Sequence, residues 1–181
     1  MAEAVKQFFV GFIHPRTWLA AIIALVVAAV AGLALSGTLI DTLGALYGLG
    51  PAIIDGLKSV AFGTFLTILL VWDSLVAGSA IPLLMVIVSA VVAGLVFGLI
   101  SKKERVASKS IIGGLNIAVI YLVIVVIVFL VWWIGFTGIG PLYSAVIGLL
   151  GAIPIDILVT FLVVWWVSAI VSMIVLSAKH A

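Results

Sequence analysis

The charged residues of this chain stand at the ends of long apolar runs. Lys6 and Arg16 precede the first run, Lys58 opens another, Lys102, Lys103, Arg105 and Lys109 crowd one short segment, and Lys179 follows the last. A lone charge at the centre of a bilayer costs roughly 2.5–3.5 kcal/mol on an insertion scale, so this distribution constrains the fold more than any motif does. It predicts an all-α, polytopic transmembrane helix bundle in the cell membrane, with the lipid bilayer as its first partner. The side on which the bases fall predicts which way the bundle faces.

Composition excludes the alternatives. With 67% hydrophobic and 8% charged residues, a soluble domain of 181 residues would leave apolar surface over most of its exterior. The apolar runs are long and do not alternate, which separates them from barrel strands of about ten residues. There is no cysteine, and the two histidines, His14 and His180, lie near the termini. Disulfides, thiol chemistry and a histidine-rich metal centre are therefore not expected, and no cofactor is expected either. Asn116 and Gln7 are the sole side-chain amides. That depletion fits a thermophile with archaeal-like composition, although very apolar chains are poor in amides generally.

Lys6 and Arg16 ahead of an apolar stretch that ends in small residues loosely mimic a secretory signal. The stretch from Thr17 to Leu35 is long enough to span, and a retained first helix is expected, anchored by Trp18. Ahead of it, Val5, Phe8, Phe9, Phe12 and Ile13 recur at helical spacing beside Glu3, Lys6 and Gln7, and His14-Pro15 ends the run. Residues 1–16 thus read as a short helix lying in the membrane interface.

Five apolar runs are clear spans, at 17–37, 58–77, 80–100, 111–135 and 154–178. Residues 39–57 form a sixth, interrupted by Gly48, Gly50 and Pro51. With six spans and a cytoplasmic N-terminus, all eight Lys/Arg fall on the cytoplasmic side, so the positive-inside rule prefers about six spans with both termini and the basic loop 101–110 in the cytoplasm. The segment 136–153, broken at Gly138, Gly140 and Pro141, reads as re-entrant or interfacial on the outer face. Its Gly-Ile-Gly-Pro resembles the Gly-Leu-Gly-Pro at 48–51, as an internal repeat of transporter type would require. The unequal distances to the next prolines, Pro82 and Pro154, argue for independent helix starts instead.

Helix packing has the clearest signals. Ala20, Ala24, Ala28 and Gly32 repeat every four residues, as do Ala90, Gly94 and Gly98. Small-residue stripes let backbones approach where lipid removes the hydrophobic drive for association. They are expected to pack inside one bundle in preference to another chain. The central helix 111–135, with its run IAVIYLVIVVIVFLVWW, has no obvious polar side and is expected to contact lipid broadly. Trp18, Trp72, Trp132 and Trp133 fall where an aromatic belt belongs, whereas Trp165 and Trp166 fall mid-span and are candidate lipid or partner contacts.

The carboxylates Asp41, Asp73 and Asp156 are the candidate ion, proton or partner-binding groups, because the six-span reading puts them opposite all the bases. Asp156 also sits where a helical first turn favours negative charge. Catalytic residues are not expected. There is no HExxH, GxSxG, Walker lysine or CxxC, and the Gly-Leu-Gly at 48–50 is followed by Pro51, not by the Asp of a membrane aspartyl protease. The basic loop is too small for nucleic acid and suits anionic lipid. Tiny loops, packing stripes and missing chemical motifs point to a non-catalytic integral subunit or assembly component of a larger membrane complex, with other membrane subunits as partners. The alternatives are a small transporter or cation/proton pathway through the broken segments, and a structural protein forming homomeric arrays.

Overall fold

The protein is described by a computed structural model covering residues 1–35, 68, 71–76, 78, 80–137 and 154–179. The segments 39–57 and 138–153, most of 58–70, and His180 lie outside the described residues. Among the described residues there are six helices and no strand: α1 (Ala2–Ile13), α2 (Pro15–Leu35), α3 (Val71–Val76), α4 (Ile81–Ile100), α5 (Val106–Thr137) and α6 (Pro154–Ala178). Three described stretches are long and apolar enough to cross a bilayer: Ile81–Ile100, Val106–Val128 and Ile155–Ala178. Ala2–Ile13 and Pro15–Ala31, bent by 63°, would add a fourth if they form one broken span.

The bend between α1 and α2 follows from His14-Pro15. A residue before proline is pushed out of the helical region, and His14 is extended (φ −72°, ψ 129°). Proline then opens α2, where its missing N–H is no loss. The break strands carbonyls at the end of α1, and side chains of α2 take them up. Thr17 Oγ1 donates to the Gly11 carbonyl at 2.7 Å, and Trp18 Nε1 donates to the Phe12 carbonyl at 2.7 Å.

The chain divides into two units, one of Met1–Val27, Val86–Val123 and Phe161–Ala181, the other of Ala28–Met85 and Ile124–Thr160. In the second unit the Thr160 hydroxyl donates to the Ile68 carbonyl at 3.0 Å, and both residues are buried.

In the first unit three helices meet at glycines. A Cβ on Gly94 would lie 2.7 Å from the Ser168 carbonyl oxygen and 2.8 Å from Val171 Cβ; one on Gly98 would lie 2.8 Å from Val175 Cβ. The pairing advances by four on both chains, so α4 and α6 run parallel. Gly113 lies against the Phe97 ring and Gly114 against Trp165 and Ala169. Ser89 opposite Tyr121 and Phe97 opposite Gly113 make α4 and α5 antiparallel. Ser89 donates to the Val86 carbonyl at 2.8 Å, which leaves the Tyr121 hydroxyl, 3.1 Å away, to donate to Ser89.

Two sequence expectations are corrected here. Residues 106–110 belong to α5, so the basic connection is Ser101–Arg105, not 101–110. Arg105 takes a left-handed φ of 44° and reverses the chain, and Lys109 N–H bonds back to its carbonyl at 2.9 Å. The broad lipid contact expected of 111–135 is narrowed to part of the helix: Ile111, Val123, Ile127 and Val131 are exposed. Ile117, Ile120 and Tyr121 are fully buried, because Gly113 and Gly114 draw this part of α5 against its neighbours.

Replacing Gly94 with Val forces α4 from α6 at a backbone contact. The expected loss is about 1–3 kcal/mol in a reversible SDS-titration unfolding experiment, and an unchanged midpoint would show that the two backbones do not touch there.

Candidate functional site: a basic cleft with an amide at its base

Three chain segments end together in the first unit. The ammonium of Lys179 donates to the carbonyls of Leu99, at 2.5 Å, and Ser101, at 2.7 Å, at the end of α4. Reciprocally, Lys103 Nζ donates to the carbonyls of Ser177, at 3.3 Å, and Lys179. Each helix end exposes carbonyls without intrahelical partners, and each receives a lysine from the other segment. The N-terminus joins them through Arg105, whose Nη1 meets Glu3 Oε1 at 2.8 Å. Both partners of that pair are 73% exposed, so it steers more than it stabilises.

α1 lies along the start of α5. Glu3 meets Arg105, Ser108 Oγ donates to Gln7 Oε1 at 3.2 Å, and Gly11 sits against the Asn116 amide. The contacts rise together on both helices, which makes them parallel. α1 turns Glu3, Gln7 and Gly11 toward α5, while Val5, Phe9 and Ile13 form an exposed apolar stripe, 78% exposed at Ile13. The residue spacing is that of an amphipathic helix.

Between these elements lies a cleft of about 760 Å³. α5 lines it with Lys109, Ile112, Gly113 and Asn116, spaced as one helical face. Lys6 of α1, Arg16 of α2, and Lys102 and Arg105 of the connection complete a ring of bases, against Glu3 and Glu104. Lys109 Nζ donates to the Lys102 carbonyl at 2.8 Å, and His14 Nδ1 accepts from the Arg16 backbone N–H at 3.3 Å. Lys6, Arg16 and Lys102 have no side-chain hydrogen bond or ion pair among the described residues. Seven of the eight Lys/Arg thus gather at this end of the first unit; Lys58 lies outside the described residues.

Asn116 sits two helical turns inward from Lys109, or about 10 Å at 1.5 Å per residue. It is 1% exposed, and neither Nδ2 nor Oδ1 has a hydrogen-bond partner among the described residues. An unsatisfied buried amide costs about 1–3 kcal/mol. Chemically, the cleft offers several cations at its mouth, apolar walls at Val10, Phe97 and Ile112, and a donor-acceptor pair at its base.

The carboxylates named from the sequence lie elsewhere. Asp156 is buried, at 1% exposure, in the first turn of α6. Asp73 is within α3, its side chain outside the described residues, and Asp41 is wholly outside them. Trp165 Nε1 donates to the Ile111 carbonyl at 3.0 Å and its ring stacks on Trp166 at 5.1 Å, with Trp166 half-exposed. Ala20, Ala24, Ala28 and Ala90 are fully buried; the surroundings of Gly32 are outside the described residues. No group of three or more His, Cys, Asp or Glu could hold a metal among the described residues. Sequence reasoning missed the cleft, although the chain's single asparagine, seven residues after Lys109, was a usable signal.

Comparison with protein-family models, with curated proteins and with solved structures finds no match.

Replacing Asn116 with Leu exchanges an unpartnered amide for an apolar group of similar volume. In the absence of any ligand the variant should be as stable as the parent or more stable by about 1 kcal/mol. Thermal unfolding in detergent checks this, and a clear loss of stability would mean that the amide has a structural partner.

Proposed function

We propose that this chain is a non-catalytic integral membrane component of a larger assembly, spanning the membrane about six times, with both termini and the Ser101–Arg105 connection in the cytoplasm. The observation that carries the reading is the way buried hydroxyls are spent. Ser168 donates to the Val164 carbonyl at 2.5 Å, Ser172 to Ala169 at 3.0 Å and Ser89 to Val86 at 2.8 Å. Each closes a hydrogen bond within its own helix, which suits packing better than a row of groups passing an ion along. The orientation draws on the gathering of Glu3, Arg105 and Lys179 at one end, which an even number of spans requires, and on the preference of bases for the cytoplasmic side.

Purification in mild detergent followed by native mass spectrometry should return a stoichiometric complex with other membrane subunits. Recovery of the chain alone, or only as a homomer, would remove the assembly reading. Cysteines introduced at Ser108 and Ser144 should label from the cytoplasm and from outside respectively, and the reverse result would overturn the orientation.

A second reading rests on the burial of Asp156. An ionisable group enclosed in a spanning helix is a natural station for a cation or proton. Under it, proteoliposome flux falls on Asp156→Asn; under the assembly reading no flux is seen in either protein.

A further inference from the structure

Four separate stretches of chain place Lys6, Arg16, Lys102 and Lys109 around one cleft, with Arg16 and Lys109 half-buried. Bases serving only to orient the protein on a membrane surface would gain most by facing water singly, where their mutual repulsion is screened. Holding them together is unfavourable unless an anion is shared. The carboxylates present do not fill that role: Glu3 is taken by Arg105 at 2.8 Å, which leaves Glu104 among the remaining bases of the cleft.

Asn116 supplies an independent pointer. It lines the same cleft, is 1% exposed, and has a free donor and a free acceptor among the described residues. The side chain lies beside Gly11, where an added Cβ would force the amide to shift. A leucine would fill the space without an unsatisfied group, so the amide is explained by a polar group that enters the cleft and meets it.

We propose that this cleft binds an anionic phosphate ester. Its tetrahedral set of acceptor oxygens, which can take hydrogen bonds from several cations at once, matches a ring of Arg and Lys better than a single carboxylate would. A volume of about 760 Å³ exceeds what a bare anion fills, and Val10, Phe97 and Ile112 offer an apolar wall to the organic part. Asn116 hydrogen-bonds the polar portion of that organic part. The same chemistry is carried by the headgroup of an anionic phospholipid and by a soluble phosphate monoester.

The full chain in mild detergent is titrated with phosphatidylglycerol, with phosphatidylcholine and with glycerol 3-phosphate, and binding is read from the thermal-unfolding midpoint and from native mass spectra. Saturable binding of phosphatidylglycerol but not of glycerol 3-phosphate assigns a lipid headgroup; binding of glycerol 3-phosphate assigns a soluble ester. In either case Arg16→Gln, Lys109→Gln and Asn116→Leu should each weaken the apparent affinity by about tenfold or more, the loss of one charge-assisted or buried hydrogen bond. Lys6→Gln, at an exposed position with no side-chain hydrogen bond or ion pair among the described residues, should weaken it less but measurably, and Lys103→Gln, outside the cleft, should leave it unchanged. Failure of both anionic probes to saturate, equal binding of the zwitterionic phosphatidylcholine, or undiminished binding by folded Asn116→Leu and Lys6→Gln would overturn the proposal.

Discussion

Close backbone approach at four glycines is the contact on which the described packing depends. In lipid, helices gain nothing from hiding apolar side chains from water, so association rests on short-range contact. Gly94 and Gly98 bring α4 onto the backbone of α6, while Gly113 and Gly114 admit Phe97 and the Trp165 carbonyl to α5. The same approach sets the Trp165 indole N–H within 3.0 Å of the Ile111 carbonyl and the Ser89 and Tyr121 hydroxyls 3.1 Å apart. Polar contacts between these helices are consequences of how near the glycines let them come.

A second rule follows from the same solvent. With no water to accept them, polar groups must find partners inside the protein. Ser89, Ser168 and Ser172 turn back on carbonyls of their own helices, Thr17 and Trp18 cover the end of α1, and Lys103 and Lys179 cover the ends of α6 and α4. Against that economy, the Asn116 amide and the Ser110 hydroxyl stand out as buried and unpartnered among the described residues. Asn116 differs from Ser110 in opening onto a cleft ringed by bases, which is why a ligand accounts for it.

The assembly reading and the phosphate cleft rest on different parts of the molecule. One draws on self-satisfied hydroxyls and tight helix contacts, the other on a site built where the termini and the short connection gather. A membrane component that holds an ester at that end would have its packing and its ligand set largely independently, the two meeting where Phe97 of α4 packs on Gly113 of α5 and both line the cleft.

The helical class and the ends of several elements were legible in the residues. The apolar run at 154–178 is α6 (Pro154–Ala178), the run at 80–100 is α4 (Ile81–Ile100), and His14-Pro15 marks the bend. These depend on local causes: hydropathy over about twenty residues, and the steric demand of proline on its neighbour. The buried face of α5, the early start of that helix at Val106 and the cleft were not legible. The buried face and the cleft need residues far apart in sequence, as when Lys6, Arg16 and Lys109 converge over Asn116, while the helix start turns on the left-handed φ of Arg105. Apolar composition by itself determined that this chain enters a membrane as helices with its bases at their ends, because charge and unpaired backbone are expensive in hydrocarbon. Which faces meet, and that the bases enclose a buried amide, was decided only in the tertiary structure, because lipid-facing and protein-facing sides of such helices share one apolar alphabet and differ only in what packs against them.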